Sequence, residues 1–294
     1  MSQVALSSNS WDRSTRRPNV AAPPNACDCA VHVFGSPGSS PLSPTRSYEP
    51  PQASFEDVRR VHATIGIDRG VLVQPTPYRT DHRVLLDALR AGKGRYLGIA
   101  LVDDTVSDAE LERLAAAGVR GARFNFLATL RFDWDRAKFE RTVARIAELG
   151  WVTLVHGTAD ELVERMPMLR KVRTPVVIDH MAHWNLERGD ASCKPFELFR
   201  ELLGQGNFWI KLSNGDRISL QGYPYDDTVA LAQAFIDAAQ ERAIWATDWP
   251  HIRYRGRVPN DAELVELLFR YVPDAHVRQK VLVDNPARLF GFEA

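Results

Sequence analysis

The stretch Val119–His156, VRGARFNFLATLRFDWDRAKFERTVARIAELGWVTLVH, holds in miniature the pattern that decides the fold. An apolar, β-branched run (VRGARFNF, 119–126) leads into a helical period (DRAKFERTVARIAEL, 135–149), which Gly150 closes before a second such run (WVTLVH, 151–156) begins. This is the grammar of a strand, a crossover helix and a parallel strand. Outward from it, similar runs recur at CAVHVF (29–34), GVLVQ (70–74), YLGIALV (96–102), PVVIDH (175–180), FWIKLS (208–213) and AIWATD (243–248). Helical signals lie between them: Asp81 opens DHRVLLDALRAG, Asp108 lies within SDAELERLAAAG, and Gly92 and Gly118 stand at expected C-caps. Eight strands alternating with helices, and no glycine-rich phosphate loop after the first strand, predict an α/β fold of the TIM type, a (β/α)8 barrel.

The remaining organisation follows from composition. Residues 1–25 mix Ser, Asn, Arg and Pro without periodicity and are read as an irregular N-terminal leader that wraps a single barrel domain over 26–294. Two long segments, 35–54 and 214–226, follow predicted strands and so belong to the C-terminal face, where barrel enzymes place their sites. Helical signal at DAELVELLFRYV and DAHVRQKVLVDNPARLF is expected to close the outer layer.

Lys+Arg and Asp+Glu are balanced at 37 each, which removes the electrostatic attraction that nucleic acid and anionic membranes require. With no apolar run of about 18–20 residues and no signal-peptide core, no membrane partner and a cytoplasmic protein are expected. The three cysteines, Cys27, Cys29 and Cys193, are read as reduced thiols. Oligomeric state is not legible in the chain.

A strand buried on both faces is apolar throughout, so a polar side chain near its C-terminal end needs a partner or a task. This chain has Asp28 and His32 on strand one, Arg123 and Asn125 on strand four, His156 on five, His180 on six, Lys211 on seven and Asp248 on eight. Singly, each has a structural reading; together on one barrel face they predict a site.

That constellation resembles the amidohydrolase superfamily, whose barrels carry His-x-His on strand one, single histidines on strands five and six, and Asp on strand eight. The counterparts are Ala30 and His32 in DCAVH, then His156, His180 and Asp248, with Ala30 where the first histidine belongs. The strings HVFG (32–35), RGARFNF (120–126), VVIDHM (176–181) and WATDWPH (245–251), in order, are similar to the lactonase branch of that superfamily, from about Asn25 to the C-terminus.

The resemblance implies a hydrolase opening an anionic lactone ring, 2-pyrone-4,6-dicarboxylate or a muconolactone such as 4-sulfomuconolactone, in aromatic-acid catabolism. It implies Asp248 as the base that activates water and returns the proton to the leaving oxygen, with His32, His156 and His180 polarising the carbonyl. Arg123 and Arg217 match arginines that hold substrate carboxylates, Tyr48 a substrate-binding tyrosine and Thr76 a small hydroxyl residue; Asn125, His183 and His251 are further candidates. Where the branch has arginines, this chain has His183 and Thr129, with Arg131 two residues on; where it has tyrosine on strand five, this chain has His156. Losing guanidinium contacts weakens the expectation of a flat dicarboxylate and favours a muconolactone.

No metal is expected, because Ala30 cannot coordinate. The alternative is one Zn2+ on His32, His156, His180 and Asp248, serving a hydrolase or decarboxylase. A sugar-acid lactonase or lactone isomerase, and a barrel that only binds an acidic metabolite, are the other readings. Arg120 is expected on the outer strand face, His62, His82 and His276 in solvent, Cys29 as a packed thiol, and Phe124, Phe126, Trp245 and Trp249 in barrel packing.

Overall fold

The computed structural model describes residues 10–36, 38, 40–130, 132 and 134–293. Eight parallel strands follow one another in register order around the sheet: β1 (Cys27–Val31), β2 (Arg69–Val73), β3 (Tyr96–Ala100), β4 (Val119–Asn125), β5 (Val152–His156), β6 (Val176–Ile178), β7 (Phe208–Leu212) and β8 (Ala243–Trp245). Helices cross between them: α1 (Phe55–Ile65), α2 (Arg83–Gly92), α3 (Asp108–Ala116), α4 (Arg136–Glu148), α5 (Ala159–Leu169), α6 (Lys194–Gly204), the short α7 (Gly215–Ile218) and α8 (Val229–Ala239). After β8, α9 (Asp261–Tyr271), α10 (Ala275–Gln279) and α11 (Asn285–Phe290) complete the outer layer. The (β/α)8 expectation therefore holds strand for strand.

Local chemistry explains the helix starts. Ser54 caps α1 and Asp57 bonds back to its amide; Thr158 with Glu161 and Asn260 with Glu263 repeat that reciprocal arrangement on α5 and α9. Asp135 caps α4 as its position predicts. At α2 the expectation shifts: His82 occupies the cap, Asp81 pairs with Arg83, Gly92 is the last helical residue, and the left-handed C-cap falls on Lys93.

The barrel interior is layered by strand parity. Cys27, Cys29, Val71, Val73, Leu97, Ile99, Val152, Leu154, Val177, Trp209 and Ile244 pack as one apolar cluster, plugged at the far end by Phe290 and Phe292. Cys29 is thus a packed thiol, its Sγ 3.8 Å from that of Cys27. Two residues further along these strands the inward positions become polar: His156 follows Leu154, Asp179 follows Val177, and Lys211 follows Trp209. Parity thus sets polar groups on top of an apolar plug, at the C-terminal mouth.

Between β8 and β1 the ladder thins, and a side chain takes over. Asp28, fully buried, accepts from the Thr247 amide at 3.1 Å, from Thr247 Oγ1 at 2.5 Å and from the Ala30 amide at 3.1 Å. Above it the Asp248 amide donates to Ala30 O (3.1 Å) and the His32 amide to Trp249 O (2.8 Å). These bonds close the barrel and bring Asp248 beside His32.

Two histidines expected in solvent are core residues. His62, on α1, places Nε2 3.4 Å from Asp28 and Nδ1 2.9 Å from Tyr96 Oη. His82 donates from Nε2 to Leu101 O at 2.9 Å and meets Glu110 at Nδ1, 2.8 Å away. Their helices face the barrel, and buried imidazoles need partners that a sequence does not display. His276 is exposed and Arg120 is half-buried outside the barrel, while Phe124, Phe126, Trp245 and Trp249 are buried, as expected. Of the leader, residues 10–25 form no helix or strand and lie on the barrel: Trp11 packs against Trp249 (5.1 Å between rings) and Arg16 grips Glu266 at 2.7 and 2.8 Å. Among the described residues no helix is long and apolar enough to cross a membrane.

Candidate active site

At the C-terminal mouth a cavity of about 280 Å³ opens. It is lined by His32, Tyr48, Thr76, Arg123, His156, His180, His183, Arg217 and Asp248, so nine of the expected site residues converge on it. Asn125 and His251 do not line it. Asn125 stands one layer back, its Oδ1 accepting at 2.8 Å from His156 Nδ1. His251 is buried against Asp261, 3.1 Å from Nε2 to Oδ1, and the neighbouring Asp261 and Asp216 charges raise its pKa against the opposing effect of burial. Arg131 lies outside the described residues.

β6 and β8 are only three residues long, so His180 and Asp248 sit past the strand ends rather than on them. His180, Met181, Ala182 and His183 all take left-handed backbone angles, φ 51°, 47°, 56° and 43°. L residues hold this conformation at about 1–2 kcal/mol each. At roughly three residues per turn, positions three apart stack on one side, and the His180 and His183 rings come to 5.1 Å, both facing the cavity. Asp248 is left-handed too (φ 61°).

The charges beneath the cavity are paired. Asp179 is ion-paired with Lys211 Nζ, 2.9 Å from its Oδ1, and its Oδ2 accepts from Arg123 NH2 at 2.8 Å, all three residues buried. Burial opposes the Asp179 charge, but His180, Lys211 and Arg123 hold its carboxyl well below the usual carboxylate range. Arg123 therefore spends part of its guanidinium on Asp179, while its Nε is buried without a partner. Asp248 is likewise opposed by burial and held well below its ordinary value by the His180 and His32 rings and by Arg217, whose NH2 is 3.8 Å from Oδ2. It is a carboxylate at neutral pH.

The histidines divide by their bonds. His32 donates from Nδ1 to Val73 O at 2.6 Å and puts Nε2 3.3 Å from Asp248 Oδ1, so both its nitrogens are engaged and it orients the carboxylate. His156 is engaged at Asn125 and, through Nε2, at His183 Nε2, 2.8 Å away. His180 meets Ser213 Oγ with Nδ1 at 2.8 Å, and its Nε2 accepts from Arg123 NH2 at 3.4 Å. Burial, with Arg123 next, pushes His156 well below the ordinary histidine value; burial takes His180 down to about 3 and His183 to about 4. The expectation that three rings polarise a carbonyl is narrowed, since a neutral imidazole has a single N–H. His180 is engaged at both nitrogens, so His183, held by one hydrogen bond to His156, is the ring with capacity to spare.

Zinc accepts imidazole nitrogens. Among the described residues, the donors that gather within 4.8 Å of one another are His156, His180 and His183, not the expected set of His32, His156, His180 and Asp248. Neutral rings are the ligating form, so those three fit a single divalent ion, which would supply Lewis-acid polarisation of a carbonyl. Ala30 is buried in the apolar layer below and supplies no donor.

Thr129, noted from the sequence as standing where the branch has an arginine, also lines the cavity, and Asn214, Arg253 and Arg255 line it without having been singled out from sequence. The arginines carry one legible signal, the alternation RYRGR (253–257) directly after the DWPH string.

Comparison with known proteins agrees with this geometry. The model of the Amidohydrolase family matches residues 27–292. A 4-sulfomuconolactone hydrolase of Rhizobium radiobacter is 38% identical over 93% of this chain and 92% of its own. A 2-pyrone-4,6-dicarboxylate hydrolase of Comamonas testosteroni is 34% identical over 95% and 94%. The crystal structure of a probable 2-pyrone-4,6-dicarboxylic acid hydrolase from Acinetobacter baumannii, with citric acid bound, superposes with a TM-score of 0.80 at 26% identity, over 91% of this chain and 100% of that one. By fold, by the order of its site residues and by this match along nearly its whole length, the chain belongs to the amidohydrolase family.

Proposed function

We propose that this protein hydrolyses the ring of a small anionic lactone, with Asp248 as the base. The carrying observation is an ionised Asp248 opening onto a cavity that Arg123 and Arg217 also line. Asp248 removes a proton from water as the water oxygen bonds to the lactone carbonyl carbon. The charge that develops on the carbonyl oxygen is met by His183, the substrate oxygen replacing its contact with His156, while His180 stays beside Asp248. Collapse breaks the bond to the ring oxygen, which takes the proton back from Asp248, leaving an open-chain acid. General-base help of this kind is worth about 10²–10⁴-fold. An activated ester needs no more polarisation than hydrogen bonds supply, so the reaction runs on these residues without a metal.

Arg217, with the free edge of Arg123, binds one acidic substituent. Tyr48 and Thr76 border the ring. Where the pyrone-dicarboxylate pattern has arginines, the lining positions His183 and Thr129 hold no permanent charge, so an acidic group at that edge of the ring goes unpaired, and a muconolactone whose second acidic group lies elsewhere, as in 4-sulfomuconolactone, fits better. Breakdown of aromatic acids is the setting in which such rings arise.

The test is a panel of carboxy- and sulfo-muconolactones, the pyrone dicarboxylate and aldarolactones, assayed with protein purified without added metal and analysed for zinc. Muconolactone opening with well under one zinc per chain is expected. Stoichiometric zinc, with activity lost on chelation and regained on its return, would instead favour the reading in which His156, His180 and His183 hold the ion.

The pH profile provides a second check. Asp248 is depressed, so its active carboxylate is present above its pKa and is lost as pH falls through that value. Expected is a kcat/KM that stays level from about pH 5 to 8 and falls only below about pH 4, the ordinary carboxylate range. An acid limb near pH 6.5 would mean that a histidine is the base.

A further inference from the structure

We propose that Arg253 and Arg255 form a second anion subsite at the mouth of the cavity, taking a sulfonate or carboxylate remote from the reacting carbonyl. The proposal rests on the lactonase reading above and extends it to substrate choice. Both residues line the cavity that holds Asp248, and both also line a second cavity of about 500 Å³. They stand at the partition between the two.

Their freedom sets them apart. Among the described residues neither Arg253 nor Arg255 has a hydrogen-bond or ion-pair partner, whereas the other arginines nearby are committed. Arg257 pairs with Glu263 and covers the Tyr223 ring, Arg123 pairs with Asp179, and Arg217 donates to Ile252 O at 3.0 Å. The segment that carries the two free residues is nonetheless held in place. Tyr254, between them, turns to the other side and donates from its hydroxyl to Asp216 O at 3.1 Å, and Arg217 stacks on its ring. The backbone at Arg253 takes φ 59°, a left-handed angle that an L residue adopts only under constraint. Two exposed, unpaired guanidiniums on an anchored loop are donors available to an oxyanion.

Charge bookkeeping points the same way. Arg123 is partly committed to Asp179, and Arg217 stands between Asp248 and the buried Asp216, so these two arginines serve one acidic substituent at most. A ring with two needs further positive charge, and the neutral His183 and Thr129 do not provide it. The loop after β8 does.

The experiment compares benzoate with 4-sulfobenzoate, unreactive rings that differ by one sulfonate, by titration calorimetry at low ionic strength on the full chain. Wild type is expected to bind 4-sulfobenzoate at least tenfold more tightly. In the Arg253→Gln/Arg255→Gln double variant that preference is expected to fall below threefold, and in Arg255→Lys, which keeps the charge but not the two-pronged fork, to lie between. The same double variant is expected to lose at least tenfold more kcat/KM on a sulfonated muconolactone than on its monoanionic parent. An equal preference in wild type and double variant, or none in wild type, overturns the subsite. Absence of lactone turnover with the binding preference intact would overturn the lactonase reading and leave the subsite standing.

Discussion

Asp248→Asn is expected to lower kcat for lactone opening by about 10³–10⁴-fold, roughly 4–5.5 kcal/mol of transition-state stabilisation, with little change in KM. The amide is nearly isosteric, so the contacts of this position with His32 and Arg217 and its place at the β8–β1 seam are conserved in outline. What is lost is the ability to take a proton from water, which no neighbour can assume. His180 and His183 are neutral but lie at pKa values of about 3 and 4, too weakly basic to replace a carboxylate in a tuned setting, and both nitrogens of His32 are engaged. Decay of lactone absorbance measures the effect directly. If the variant keeps more than a tenth of the wild-type rate, Asp248 is not the base.

Asp179→Ala is expected to have the largest effect on stability, about 3–5 kcal/mol, because it strands two buried cations. Lys211 and Arg123 are 1% and 5% exposed, and each gives its closest carboxylate contact to Asp179. A midpoint in urea unfolding lowered in proportion, with an unchanged slope, is the expected reading. Asp179→Asn keeps the shape and one acceptor oxygen and should cost less. An alanine variant as stable as wild type would show that the cations find water, and that the barrel mouth is wetter than its packing indicates. The exposed pair Arg145–Asp108 is the natural control, since solvent screens such contacts.

Both expectations turn on residues that the sequence exposes unequally. Asp248 is legible because it ends the eighth apolar run and stands in a recognisable string. Asp179 is adjacent to a candidate histidine, yet its role as the shared counter-ion of Arg123 and Lys211 appears only when β4, β6 and β7 are curled into one barrel. His62 and His82 show the same limit from the other side. A histidine in an amphipathic helix looks solvated until the helix is docked, and then its partners are Asp28, Tyr96, Leu101 and Glu110, all distant in the chain. His251 shows it again, since its position directly after the base suggests a substrate contact while its ring turns to Asp261.

By itself, the sequence determined the eight-strand alternation, the apolar lining of each strand and the set of polar residues at the strand ends, because hydrophobic period and helix capping are local properties written in consecutive residues. Only the tertiary structure decided which of those polar groups remain open to a ligand. Hydrogen bonds and ion pairs are long-range contacts, and each one formed removes a nitrogen or a charge from the site's chemistry. Thus His32 became a positioning group, Arg123 became half committed, three histidines were driven neutral by burial, and Arg253 and Arg255, among the described residues, were left as unpaired cations at the mouth.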